Sequence, residues 1–156
     1  MTVLAILAVS LSGRPSGAQT YPASKITIVV AFAPGGFADT MARFIAEGLR
    51  ERLRQTIVVE NRAGAGGNIA ASFVAHATPD GYTLLATTTA LAINETLIAN
   101  KQFSANDLKT VAIVTSNPEA LATSPSNPAD SLSAFIKAMN GRVINFGSAG
   151  VGTGSH

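Results

Sequence analysis

Three stretches of glycine and hydroxyl residues have the composition of an anion-binding site. They are residues 33–36 (APGG), 87–89 (TTT) and 147–153 (GSAGVGT). A ligand can approach glycine backbone closely because glycine has no Cβ. The free N–H groups at a helix N-terminus also attract negative charge. If each stretch joins a strand to a helix, the three could bind a small carboxylate or phosphate without Lys or Arg.

Each stretch also has a purely structural explanation. Gly35 and Gly36 could serve only to turn the chain from a strand into a helix, and residues 87–89 could only cap the next helix. The loop at 64–67 (GAGG) is most simply explained as a structural turn. Residues 147–154 contain four glycines, more than a turn requires, so a binding role is favoured there.

Asp39 stands three positions after the Gly35-Gly36 pair, in the first turn of the expected helix. One interpretation is that its carboxylate accepts backbone N–H groups and offsets the helix dipole. The other is a role towards the ligand. Since direct contact with an anion would be repulsive, Asp39 would then hold water or bind the amine of an amino acid.

Familiar catalytic motifs fail on inspection. Ile69 and Ser155 stand where the third glycine of a dinucleotide fingerprint belongs. A nucleophile elbow needs glycine two residues before its serine, and Phe146 stands at that position before Ser148. The chain has no Cys and two His, and no acidic or histidine cluster has metal-ligand spacing. We expect no cofactor, no metal and no catalytic residues.

The three stretches would be positioned by alternating strands and helices. Residues 26–32 (ITIVVAF) form a continuous apolar run, typical of a parallel strand buried on both faces. This pattern predicts an α/β fold with a parallel sheet, whose ligands bind beyond the carboxyl ends of the strands. Further strands are predicted at 57–60, 82–86, 111–114, 120–123 and 143–146, and helices at 38–54, 68–77, after 87–94 and at 131–140.

The charge and the N-terminus limit the partners and the location. The net charge is +2, only 13% of residues are charged, and no Lys/Arg cluster favours nucleic acid. Residues 3–11 form an apolar run too short to span a bilayer and right for a signal peptide, and small residues follow at 16–18. No Lys or Arg precedes the run, so a buried N-terminal element is the alternative. We predict a signal peptide over 1–18 and a periplasmic location.

Four motifs together resemble the receptor family of the tripartite tricarboxylate transporters, also called Bug proteins. They are APGGxxD (33–39), VENRxGAGGNIA (59–70), PDGYTLL (79–85) and FGSxGxGTxSH (146–156). The resemblance covers residues 21–156 and implies a periplasmic binding-protein fold, type II-like, with two α/β domains that close on a ligand like a flytrap. It implies a truncated form here, with an incomplete first domain at 19–110 and the start of a second at 111–156.

The resemblance also implies a function and a set of binding residues. Members capture a small organic acid for membrane permease subunits, without enzymatic activity. The residues that match the ligand-binding loops are Pro34, Gly35, Gly36, Phe37 and Asp39, then Ser148, Ala149, Gly150, Gly152 and Thr153, with Thr88 and Thr89 on a further loop. Phe37 departs from the small polar residue of many members and would favour an apolar or aromatic acid.

Two other functional interpretations stay open. One is an α/β enzyme whose catalytic groups lie in a C-terminal half outside this sequence. The other is a non-functional truncated fragment.

Overall fold

The computed structural model describes residues 20–116 and 118–156, so the predicted signal peptide lies outside the described residues. Its strands are β1 (Ile26–Val30), β2 (Ile57–Asn61) and β3 (Thr83–Ala86). Its helices are α1 (Phe37–Leu53), α2 (Asn68–Ala75), α3 (Ala90–Leu97) and α4 (Leu132–Met139), with 3-10 turns at Ala65–Gly67 and Ala105–Asp107. In this described part of the chain, none of the helices has the length and apolarity needed to cross a membrane.

The three strands form a parallel sheet in the order β2-β1-β3, with β1 in the centre. Both faces of β1 are covered, as its uninterrupted apolar sequence predicts. Ile28 and Val30 pack on one face with Ala42 and Ala46 of α1, whereas Val29 packs on the other face, in the cluster that contains Ala70 of α2. The predicted α/β fold with a parallel sheet is confirmed.

Helix α1 packs on the sheet through small residues. Ala42 and Ala46 are each 2% exposed, and their spacing of four places them on one face. Apolar residues at helical spacing predict a core-facing side of this helix that includes Met41, Phe44, Ile45, Leu49 and Leu53. For Phe44 that prediction is wrong, because it is 75% exposed. It lies two residues from Ala42, which is about 200° around the helix.

The second half of the chain differs from the sequence prediction. The segments 111–114, 120–123 and 143–146 are not strands in the structure, and Val111 and Val143 are 83% and 95% exposed. A strand needs a neighbour to pair its N–H and C=O groups, and no described segment pairs with these. Helix α4 does form as predicted, with Ser131 as its N-cap. The division of the chain at 110 stays a prediction.

Candidate anion-binding site

The candidate site lies at the carboxyl ends of the three strands. Loops leave this edge after β1, β2 and β3, and because the strands are parallel the loops emerge on the same side. Gly67 marks where they meet: a methyl group there would lie 3.3 Å from the Ala31 Cβ and 3.8 Å from the Thr87 Oγ1. The loops that follow all three strands are therefore packed against one another.

The glycine loop near the C-terminus packs against the same edge. A methyl group at Gly66 would lie 2.6 Å from the Val151 carbonyl oxygen, and Gly152 and Thr153 are buried. The strand predicted to deliver this loop does not form, yet the loop reaches the other glycine loop. The structure thus brings Gly152 and Thr153 to the edge where β1 ends.

The first predicted loop leaves a helix N-terminus open. Gly36 is the N-cap of α1, with φ −76° and ψ 172°, and provides no side-chain cap. Within residues 20–116 and 118–156, the N–H groups of Phe37 and Ala38 have no acceptor. Pro34, Gly35 and Gly36 are exposed, and the Phe37 ring is half exposed. Two backbone donors are therefore available to an anion.

The buried carboxylate of Asp39 holds the loop between β1 and α1 in place. Only 3% of Asp39 is exposed. Its Oδ2 accepts the Gly35 N–H at 2.9 Å, and Arg43 donates to both carboxylate oxygens at 3.1 and 3.0 Å. The Arg43 guanidinium, the Gly35 N–H and the Asn61 amide hold the pKa of Asp39 well below its usual range. The predicted bond to a backbone N–H is thus present, while a role towards the ligand stays a prediction.

Asn61, the last residue of β2, is a structural residue that the sequence analysis missed. Its Nδ2 donates to the Phe32 carbonyl at 3.1 Å and to the Asp39 Oδ1 at 2.9 Å. Its Oδ1 accepts from Arg43 at 3.1 Å. One amide thereby joins the ends of β1 and β2 to α1. The only sequence signal is its place at the end of an apolar strand, within the VENR motif.

The second predicted loop is internally hydrogen-bonded. The Ser148 Oγ accepts the Gly150 N–H at 3.2 Å, and the Ser155 Oγ accepts the Ala149 N–H at 3.1 Å. Thr153 donates its hydroxyl to the Gly150 carbonyl at 2.6 Å. Two backbone donors that an anion could use are therefore occupied by hydroxyl groups of the loop itself.

The threonine loop joins the site through Thr89. The Thr88 Oγ1 accepts the Ala90 N–H at 3.3 Å, so Thr88 does help to cap α3. A methyl group at Gly154 would lie 3.2 Å from the Thr89 Oγ1 and 2.8 Å from the Glu119 Oε1. Glu119, which sequence reasoning missed, thus places a carboxylate beside the site. The described part of the chain holds no group of three or more His, Cys, Asp or Glu suited to a metal.

A separate concave surface lies elsewhere in the described part of the chain. A groove of about 620 Å³ lies at the other end of α2 and is lined by Ser72, Phe73, His76, Ala77, Thr78, Asp80 and Thr83. It lies near the amino end of β3, away from the converging glycine loops. We place the candidate site at the loops, because free backbone donors matter more for an anion than the depth of a groove.

Comparisons with known proteins identify the family of the chain. Residues 41–156 match the model of the "Tripartite tricarboxylate transporter family receptor". The chain is 35% identical to a UPF0065 protein of Bordetella pertussis over 98% of its length and 48% of the relative. It is 40% identical to Protein BugT of the same organism over 91% of its length and 45% of the relative.

Solved structures give the same assignment. The periplasmic binding protein BugD superposes with a TM-score of 0.52 at 42% identity, over 54% of this chain and 28% of BugD. R. palustris Rpa4515 with adipate superposes with a TM-score of 0.51 at 40% identity, over 54% of this chain and 28% of that protein. The chain spans about half the length of the curated relatives it matches. It belongs to the receptor family of the tripartite tricarboxylate transporters.

Proposed function

We propose that this chain forms part of a periplasmic receptor that captures a small organic acid and delivers it to membrane permease subunits. The observation that carries the proposal is the uncapped N-terminus of α1, which opens at the same edge as the glycine loops. Further support comes from the relative whose structure is described with adipate, a dicarboxylate. The role is that of a binding protein and not of an enzyme.

The strength of the site favours an acid with two anchoring groups. A hydrogen bond to a charged group contributes about 1.5–3 kcal/mol, so the Phe37 and Ala38 N–H groups supply about 3–6 kcal/mol between them. That range corresponds to dissociation constants from about 6 mM down to about 40 μM for one carboxylate. A second carboxylate that reaches Thr89 or the 148–153 loop would tighten binding further. We therefore expect dicarboxylates to bind more tightly than monocarboxylates.

Titration calorimetry of the full chain with adipate, hexanoate and adipamide tests this function. Adipamide has the length of adipate without its charge. We expect adipate to bind most tightly, hexanoate weakly and adipamide not at all. Equal affinity for adipate and adipamide, or no binding of either acid, would contradict the proposal.

Phe37 is proposed to set the preference for the acid's carbon skeleton. Its ring is half exposed and directly follows the open N-cap, where it can cover an apolar chain or stack on an aromatic ring. Replacing Phe37 by Ser should weaken binding of phthalate about tenfold and of succinate by less than twofold. The ratio of the two dissociation constants measures the effect, and an unchanged ratio would refute this role.

Glu119 is proposed to oppose anionic ligands. Its Oε1 lies against Gly154 and near the Thr89 hydroxyl, so its charge repels a carboxylate bound there, weakly because the residue is exposed. Replacing Glu119 by Gln should tighten adipate binding by about threefold at low salt and by less at 0.5 M NaCl. Asp130→Asn is the exposed control. If Glu119→Gln weakens adipate binding or leaves it unchanged, the proposed repulsion is refuted.

A further inference from the structure

We infer that Asn94 is the latch that holds the C-terminal glycine loop (residues 150–154) against the inner glycine loop (residues 64–67). The inference rests on the proposed function only for its effect on a ligand. The latch itself is a contact of Asn94 in α3 with the two loops, and it can be measured without any ligand.

Asn94 is buried where the two loops touch. It lies in α3, is 1% exposed, and donates its Nδ2 to the Gly66 carbonyl at 3.0 Å. Its Oδ1 has no hydrogen-bond partner among the described residues. A buried amide oxygen without a donor is unfavourable and uncommon in folded proteins. An apolar side chain could fill this space without a buried donor or acceptor. The amide of Asn94 therefore needs a specific explanation.

The glycines around Asn94 explain how closely the loops approach. Gly66 and Gly152 both have positive φ, 62° and 81°, a conformation that favours glycine. A methyl group at Gly66 would lie 2.6 Å from the Val151 carbonyl oxygen, and a methyl group at Gly152 would overlap the Asn94 Oδ1. Both backbones therefore lie close to the same amide, and a side chain at either glycine would separate them.

This arrangement makes Asn94 a positioning residue for the loops. The hydrogen bond to Gly66 fixes the amide on the inner loop, and the unpartnered oxygen faces the C-terminal loop. A small shift of that loop can bring one of its N–H groups to this oxygen, which would complete the contact. A ligand held by both loops could leave only when the contact opens, so Asn94 governs release more than capture.

Paired spin labels test the latch directly. The chain has no Cys, so labels at Ala65→Cys and Val151→Cys attach specifically, and both positions are exposed. We expect strong dipolar coupling between the labels in the parent chain. Asn94→Asp keeps the shape but loses the donor to Gly66, and it should abolish the short-distance component. Asn100→Ala, an exposed amide near the same helix, should leave the component unchanged.

The outcomes separate the latch from the proposed function. Retention of the short-distance component in Asn94→Asp, with a parent-like circular dichroism spectrum, would overturn the latch. Loss of that component in Asn100→Ala would also overturn it, because the effect would not be specific. If the parent binds adipate, stopped-flow mixing should show that Asn94→Asp raises the dissociation rate at least tenfold and leaves the association rate unchanged. If the parent binds no acid while the label result holds, the proposed function fails and the latch stands.

Discussion

Replacing Gly36 by Asp is expected to weaken binding of small organic acids more than tenfold and to make α1 more stable at the same time. The backbone of Gly36 already has the extended conformation of an N-cap, in which an Asp side chain accepts the N–H groups of the next residues. The new carboxylate would occupy the donors of the first turn that we assign to the ligand. It would also stabilise the helix by a few tenths of a kcal/mol relative to glycine.

The opposite signs of these two effects make the experiment informative. Gly48→Asp is the matched control, because Gly48 lies in the same helix with open space around it and about 18 Å from the N-cap along the axis. Calorimetry should show adipate affinity lowered more than tenfold in Gly36→Asp and nearly unchanged in Gly48→Asp. Hydrogen exchange of α1 amides reports the stability. Adipate binding within twofold of the parent in Gly36→Asp would refute the assignment of the α1 N-terminus.

Replacing Asp39 by Asn should loosen the loop between β1 and α1 and remove part of the chain's sensitivity to acid. Asn keeps the shape of the side chain but loses the charge that Arg43 and the Gly35 N–H contact. The Gly35 amide should then lose protection from hydrogen exchange. Adipate affinity should fall about tenfold, because the turn that presents the open N-terminus is no longer fixed.

The pH dependence of this effect has a definite sign. Hydrogen bonds from Arg43, then from the Gly35 N–H and Asn61, lower the pKa of Asp39 from its ordinary value of 3.8. The unfolded chain therefore binds the proton more readily than the folded chain. The contribution of Asp39 to stability is complete well above pH 3.8, declines as the pH falls below that value, and is lost as the pH passes through the lowered pKa.

Hydrogen exchange at pH 6 and pH 3, corrected for intrinsic rates, measures the free energy of opening of the β1 amides. The parent should lose stability between these two pH values, and Asp39→Asn should lose less. Asp80→Asn is a suitable control, because Asp80 is exposed and, among the residues that the structure describes, its carboxylate accepts only the Tyr82 N–H. Equal losses in the parent and in Asp39→Asn would contradict the assigned role of Asp39.

The first half of the fold could be predicted because its signals are local. The apolar run of β1 and the glycines after it fixed the strand, the turn and the start of α1 to within two residues. Ser131 and Gly141 bounded α4 in the same way, and Gly141 has the positive φ of a helix stop. Such signals depend on the backbone of a few neighbouring residues, which the sequence displays directly.

The failed predictions depend on contacts that no local pattern displays. Residues 143–146 have a strand-like composition, but a strand forms only beside a partner, and the described residues supply none. Asn61 and Asn94 each join segments that are distant in sequence, and a single amide leaves no periodic pattern. Glu119 approaches Gly154 only through the folding of the C-terminal segment. Residue types alone identify the candidate loops, but they do not show which contacts hold these loops together.

The most direct test of an acid site at the α1 N-terminus is an NMR titration of the ¹⁵N-labelled chain with adipate. We expect the largest shifts on the Phe37 and Ala38 amides, followed by residues 148–153, and we expect adipamide to cause none of them. Shifts that instead cluster on the groove between Ser72 and Thr83, or that are equal for adipate and adipamide, would contradict an acid site there.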